Sequence, residues 1–233
     1  NGVIVKAIAV KDGWLDSNIG MESSGGSGEN ASDPYYISSV EGLNYMAEHP
    51  TYHFMVVADF NASGFTNSIT NFSGTLDGDY KVISGLSRPL FTSTNGATIK
   101  NVVLDAVSLT SSVTIDNGPT CLGAIAAYAS GNTKIYNCGI LSKDGTSSVS
   151  GGNNTGSLVG YITGNTRVVN NYSYANVSGG EYVGGIVGRV AGNALSNARY
   201  ANNDHCAVTN NMFYGDLSGT SNVSPVYAGN HTS

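Results

Sequence analysis

The residues of this chain that could do chemistry are few and scattered. Its 233 residues include 10 Lys and Arg, 16 Asp and Glu and 4 His, for a formal charge of −6. The histidines are His49, His53, His205 and His231, and none belongs to an HExxH motif, in which two imidazoles and a general base share one helix face. His205 lies between Asp204 and Cys206, which suggests a Cys/His nucleophile. On an extended strand, however, adjacent side chains point to opposite faces, so these two do not meet. Cys121, Cys138 and Cys206 are odd in number and show no metal-binding spacing. They read as small buried hydrophobes, with a Cys121–Cys138 disulfide left open. Asp77-Gly78-Asp79 offers carboxylates to a calcium ion but lacks the alternating ligands and closing Glu of a calcium loop, so it reads as a tight turn. Asp105, Asp116, Asp144, Glu181, Asp204 and Asp216 fall in different turns, while Arg167, Arg189 and Arg199 are expected within a few coils of Asp204. A glycosidase or lyase needs convergent carboxylates, and this scatter does not supply them. The sequence therefore assigns no catalytic residue, no metal ligand and no cofactor.

Tyrosine is the exception, at 14 residues against 6 Phe and 1 Trp. Tyr172, Tyr174 and Tyr214 recur at matched positions of a repeat, with Tyr200 nearby. Exposed on a flat sheet, such rings stack on sugars or anchor a protein; turned inward, they stack on each other. These four are the candidate ligand-binding residues.

The elements that must position them follow from composition. Charged residues make up 11% of the chain, well below the usual share of about 25%. Gly and Asn number 31 and 26, nearly a quarter of the whole. Both disfavour helix interiors, so a helical protein is excluded. The acidic balance argues against a nucleic-acid binder. An apolar share of 40% argues against disorder, which leaves a chain of many turns. No apolar run reaches the roughly 18 residues of a membrane span.

Residues 1–21 alternate as strands around Asp12-Gly13, and 22–34 have the composition of a linker. Next, Ser38 and Glu41 have capping-box spacing, and Val40, Leu43, Met46 and Ala47 recur at helical intervals before Pro50. This predicts one short amphipathic helix. "YHFMVVADF" (52–60) predicts a strand buried on both faces. From residue 72, short apolar runs alternate with Gly/Asn/Ser/Thr turns and repeat. "NGATIKNV" (95–102), "GNTKIYNC" (131–138) and "GNTRVVNN" (164–171) align, as do "NNYSYANVSG" (170–179) and "NNMFYGDLSG" (210–219). A third set is "LGAIAAYASG" (122–131), "TGSLVGYITG" (155–164) and "VGGIVGRVAG" (183–192). Short strands without helices bury their apolar faces only by stacking copies. The expected fold is all-β: a right-handed parallel β-helix (β-solenoid) of about four to five coils over 72–233, with residues 35–71 as an entry and capping module. Asn101, Asn137, Asn170 and Asn210 are expected to form a ladder, each amide bonding the next.

"VGGIVGRVAG" and "TGSLVGYITG" resemble the GLUG repeat of bacterial cell-surface proteins, and the upstream blocks "YYISSVEGLNYMAEHP", "MVVADFNASGF", "FSGTLDGDYKVISGL" and "LFTSTNGATIKNV", in that order, resemble the same family's entry module. "VKAIAVKDG" resembles the last strands of the β-sandwich domain at the C-termini of chitobiase-like hexosaminidases. The resemblance implies a non-enzymatic, adhesin-like stalk or binding surface for glycans or proteins, on an extracellular or cell-surface protein. A carbohydrate-active β-helix and a purely structural spacer are the alternatives. The abrupt ends imply an excised piece of a larger multidomain chain, with no nucleic-acid partner and no membrane insertion of this segment.

Overall fold

The structure is a computed structural model, and it describes residues 25–116, 118–191 and 206–229. The expected sandwich strands at 1–21 lie outside these residues. The architecture is mostly β. It has one α-helix among the described residues, and its parallel strands are gathered into several sheets whose linear order does not close into a barrel.

Strand β1 (Tyr35–Ile37) leads into helix α1 (Val40–Glu48), which returns to strand β2 (His53–Val56) beside β1. The helix forms where its apolar spacing predicts, with Leu43 and Met46 fully buried. Its N-cap is Ser39, one residue later than the spacing suggested, and Ser39 makes no side-chain cap bond. Instead, the Ser39 hydroxyl bonds the Glu41 carboxylate and holds its pKa below the usual range. β2 alternates between half-buried and buried residues rather than being buried on both faces. The sheet has one face on the core, and the chain leaves β2 at Val56 to enter a second sheet at Phe60–Asn61.

Each later pass of the chain, here called a rung, adds one strand to each of several sheets. In the seven-stranded sheet β1 and β2 are followed by Thr75–Asp77, Thr98–Lys100, Lys134–Tyr136, Arg167–Val169 and Ala207–Thr209, all parallel. A six-stranded sheet ends in Gly139–Ile140, Tyr172–Ser173 and Met212–Phe213. A five-stranded sheet runs from Phe91–Asn95 through Ala126–Ser130, Val159–Ile162 and Val187–Val190 to Tyr227–Gly229. The register is that of the repeat alignment: Thr98, Lys134 and Arg167 are partners, as are Ala126, Val159 and Val187. The chain departs from this pattern at one antiparallel pair, Val113–Thr114 with Thr120–Cys121.

Inward residues from the seven-, six-, five- and four-stranded sheets meet in one core. Leu76, Ile99, Ile135 and Val168 are stacked partners in the seven-stranded sheet, each fully buried. At the helix end the core is aromatic: Tyr35 stacks on Tyr45 at 4.3 Å, and Phe72 on Phe91 at 4.6 Å. Asn101, Asn137, Asn170 and Asn210 all have positive φ, between 54° and 58°, at the bend between two sheets. Asn tolerates this left-handed conformation better than other residues with a side chain. The expected ladder is partial there, with Asn137 donating to Asn101 at 3.5 Å and Asn101 to Asp77 at 2.9 Å. The buried ladder lies one residue later. The Asn171 side chain donates to Ile135 O at 3.2 Å and to Asn211 Oδ1 at 3.0 Å, while accepting from the Cys138 N–H at 2.8 Å.

Candidate interaction surface

The candidate tyrosines are positioned by the six-stranded sheet and the bend after it. Tyr172 and Met212 are partners, as are Ser173 and Phe213. Because side chains alternate along a strand, Ser173 points into the core at 0% exposure and Tyr172 and Met212 point outward. Tyr172 lies flat across the preceding rung because its partner there is Gly139; a Cβ on Gly139 would sit inside the Tyr172 ring. Burial, then the neighbouring Tyr174 and Cys138, raise the Tyr172 phenol pKa.

Tyr174 follows on the same rung, with its ring edge-on to Tyr172 at 6.1 Å. Tyr214 stacks on Tyr174 from the next rung, with centroids 5.0 Å apart and planes 12° apart, and its hydroxyl approaches Met212 Sδ at 3.5 Å. Tyr174, Met212 and Tyr214 remain 46%, 54% and 60% exposed. The structure thus brings Tyr172, Tyr174 and Tyr214 together and adds Met212, which the sequence reading did not single out. Tyr200 lies outside the described residues. The patch is apolar, aromatic and outward-facing, with rings already held by their neighbours. Such a surface binds through stacking and burial at a low entropic cost.

Other candidate residues are held in structural roles. Asp77 Oδ1 accepts from the Asp79 N–H at 3.0 Å, and Oδ2 pairs with Lys100 at 2.7 Å. Burial opposes ionisation of Asp77, but the bonds from Lys100, Asp79 and Asn101 outweigh it and hold the carboxyl below its usual range. The loop is a turn whose carboxylate is taken up by its own backbone and by the neighbouring strand end at Lys100 and Asn101. Asp105 pairs with Lys143 at 3.8 Å. The Arg189 guanidinium lies over Tyr182 at 4.4 Å and Tyr161 at 5.4 Å. All three cysteines are buried, Cys121 and Cys138 are not joined in a disulfide, and burial pushes the thiols of these two up to about 12. His49 and His53 have the i, i+4 interval of a helical metal pair, which the sequence reading passed over. The helix ends at Glu48, before both. His49 packs against Tyr45 and Tyr52, while His53 lies on β2 with its buried Nδ1 unpartnered. His205 and Asp204 lie outside the described residues.

Residues 29–141, just under half of the chain, match the family model described as the M26 IgA1-specific Metallo-endopeptidase N-terminal region. No curated protein sequence matches. Among solved structures, the chain is similar to one described as a candidate immunoglobulin A1 protease from Bacteroides ovatus. The similarity has a TM-score of 0.56 at 18% identity and covers 87% of this chain and 74% of that one. These findings correct the family reading from sequence. Neither GLUG surface proteins nor the chitobiase-like sandwich is what the chain matches. The adhesin-like stalk, the glycan-binding surface, the carbohydrate-active β-helix and the spacer are overturned by this match, over residues 29–141, to the N-terminal region of a metallo-endopeptidase family. The non-enzymatic assignment is corrected with them, since the matched family is one of enzymes, although the matched region is its N-terminal one.

The physical reason lies in the motif. In "VGGIVGRVAG" a Cβ on Gly185 or Gly188 would collide with backbone of an adjoining segment, and one on Gly184 with Val187 O of the motif itself. Such a motif records how closely strands stack, a demand common to unrelated stacked-strand proteins. The family's name implies a metal. Among the described residues no three or more His, Cys, Asp or Glu are grouped to hold one, so these residues do not fit a catalytic metal centre. What the chain is similar to, over residues 29–141, is the N-terminal region of an immunoglobulin-cleaving metallo-endopeptidase family.

Proposed function

We propose that this chain is a substrate-handling region of an exported, metallopeptidase-related protein, and that peptide-bond chemistry is carried by other residues. In this reading it is a right-handed parallel β-helix of four to five coils over 72–233. Residues 35–71 form the entry module, and α1 covers the first coil. The partial ladders, the shared register of successive rungs and the linear sheets support that architecture. The match of residues 29–141 to the N-terminal region of the M26 family carries the functional reading. Tyr172, Tyr174 and Tyr214, with Met212, are the contact residues, and a polypeptide is the partner. Exposed Tyr and Met on a rigid sheet suit a protein contact, where aromatic anchors contribute most of the affinity. The partner to try first is immunoglobulin A1, which the matched family is named for.

The test immobilises immunoglobulin A1 and titrates the 233-residue chain over it, with and without zinc. Saturable binding is expected, falling at least about tenfold in Tyr174→Ala/Tyr214→Ala, with the immunoglobulin left intact. Absence of binding would remove the substrate-handling reading. Zinc-dependent cleavage by this chain alone would show that the chemistry resides in it after all.

A further inference from the structure

Arg189 is held in place yet uses none of its hydrogen-bond donors. It lies on the outward face of the five-stranded sheet, and its strand neighbours Val187 and Val190 are buried. It is in register with Tyr161, and Tyr161 with Tyr128, and those two rings stack at 5.8 Å with planes 19° apart. The guanidinium lies 5.4 Å from the Tyr161 ring centre and 4.4 Å from that of Tyr182. Its Nε is buried without a partner, and the side chain makes no ion pair or hydrogen bond among the described residues. The two Nη groups are not among the buried unpartnered atoms, so they reach solvent. Nε is thus covered while the end of the fork stays open. The nearest acid along the chain, Glu181, accepts from Asn222 Nδ2 at 3.2 Å instead.

Tyr182 runs against backbone preference. Asn154, Tyr182 and Asn222 occupy the same position of three successive rungs, with φ of 55°, 59° and 51°. Asn adopts this left-handed conformation readily, whereas a bulky ring there is strained. Such strain persists only where the surroundings over-determine it, and it clusters at functional sites. The ring that bears it here is the one nearest the Arg189 guanidinium.

We infer that Arg189, framed by Tyr161 and Tyr182, is a binding site for a carboxylate group of a polypeptide. The two Nη groups match the two oxygens of a carboxylate in geometry and charge. Partial desolvation beside the rings strengthens that bond, and the fixed guanidinium plane lowers the entropy lost in forming it. The site lies on a different sheet from Tyr172 and Met212. It rests on the substrate-handling reading only in taking the carboxylate from a polypeptide.

The full chain is titrated with three peptides while the Arg189 Nε–H and Tyr182 ring resonances are followed by NMR. Acetyl-Tyr-Glu-Tyr-amide offers a side-chain carboxylate, acetyl-Tyr-Gln-Tyr with a free C-terminus offers a terminal one, and acetyl-Tyr-Gln-Tyr-amide offers neither. At least one carboxylate peptide should bind saturably, about tenfold tighter than the neutral one, and added salt should weaken it. Arg189→Lys keeps the charge but loses the fork and should weaken binding about tenfold. Tyr182→Asn should weaken it too while leaving thermal stability unchanged or raised, a split that a packing role alone would not give. The inference is overturned by equal binding of the neutral peptide, by no saturable shift with any peptide, by full binding in Tyr182→Asn, or by tighter binding of inorganic phosphate. Immunoglobulin A1 binding through Tyr174 and Tyr214 is measured without these peptides, so either result can fail alone.

Discussion

Tyr174 and Tyr214 stack at 5.0 Å and 12° across two successive rungs, and both rings stay substantially exposed. A pair that served only packing would lie inward. Here the sheet register aligns the rings, and Gly139 lets Tyr172 lie flat beside them. Replacing either Tyr174 or Tyr214 by Ala should cost no more than about 1 kcal/mol of stability, because little buried surface is lost. Partner binding should fall far more. Chemical denaturation and binding measured on the same samples separate the two effects.

Gly139→Ala tests the positioning of the patch. The new methyl group occupies the space of the Tyr172 ring, which must swing outward. The expected outcome is weakened partner binding with the Tyr174–Tyr214 stack retained, seen as ring-proton shifts that change most for Tyr172, less for its edge-on neighbour Tyr174 and least for Tyr214.

Asn171 is the most demanding polar residue of the interior. It accepts from the Cys138 N–H and donates to Ile135 O and Asn211 Oδ1 while 1% exposed. Asn171→Ala strands these groups without water and should destabilise by about 2–4 kcal/mol. Asn211→Ala, at a half-buried position, should cost less. Urea unfolding of both variants gives the comparison.

The buried thiols predict alkaline sensitivity. Burial raises Cys121 and Cys138 to about 12 in the folded protein, whereas an unfolded thiol ionises near pH 8.5. Their contribution is therefore complete below about pH 8.5 and is lost as pH rises toward 12. Both thiols should resist alkylation at pH 8 until the chain unfolds, which mass spectrometry can follow. Cys138→Ala should flatten the alkaline fall in stability.

Asp77 predicts the acid side. Its carboxyl is held low by Lys100, the Asp79 N–H and Asn101, so its stabilising effect is present above the unfolded value near pH 3.9 and is lost as pH falls below it. Asp77→Asn should lower stability at pH 7 and reduce its dependence on pH between about 5 and 2, as read from thermal melts.

Much of the arrangement was legible in the residues. Repeat alignment gave the strand register, since an inward apolar residue every second position and a turn of fixed length leave one way to stack. It also matched Tyr174 to Tyr214. It misplaced the buried ladder by one residue, because consecutive Asn pairs such as Asn170-Asn171 look alike in sequence. Only backbone geometry shows that the first takes the left-handed bend and the second turns inward. Met212 was missed because its exposure depends on being opposite Tyr172 in the last rung. The family was misread because small residues at close approaches report packing and not ancestry.

The helix-covered end also gives the molecule a direction in time. Strand partners across the rungs are separated by long stretches of sequence, so each rung closes a large loop before gaining any contact. A rung that forms on an existing neighbour gains several sheet edges and the core beneath it; one that forms alone gains none. The segment around α1 and β2, where Tyr35 stacks on Tyr45 of the helix that directly follows it, is the natural seed. Folding should then advance rung by rung away from it, the same order in which a ribosome releases the chain. Pulse-labelled exchange showing Ala207–Thr209 protected before His53–Val56 would reverse that order.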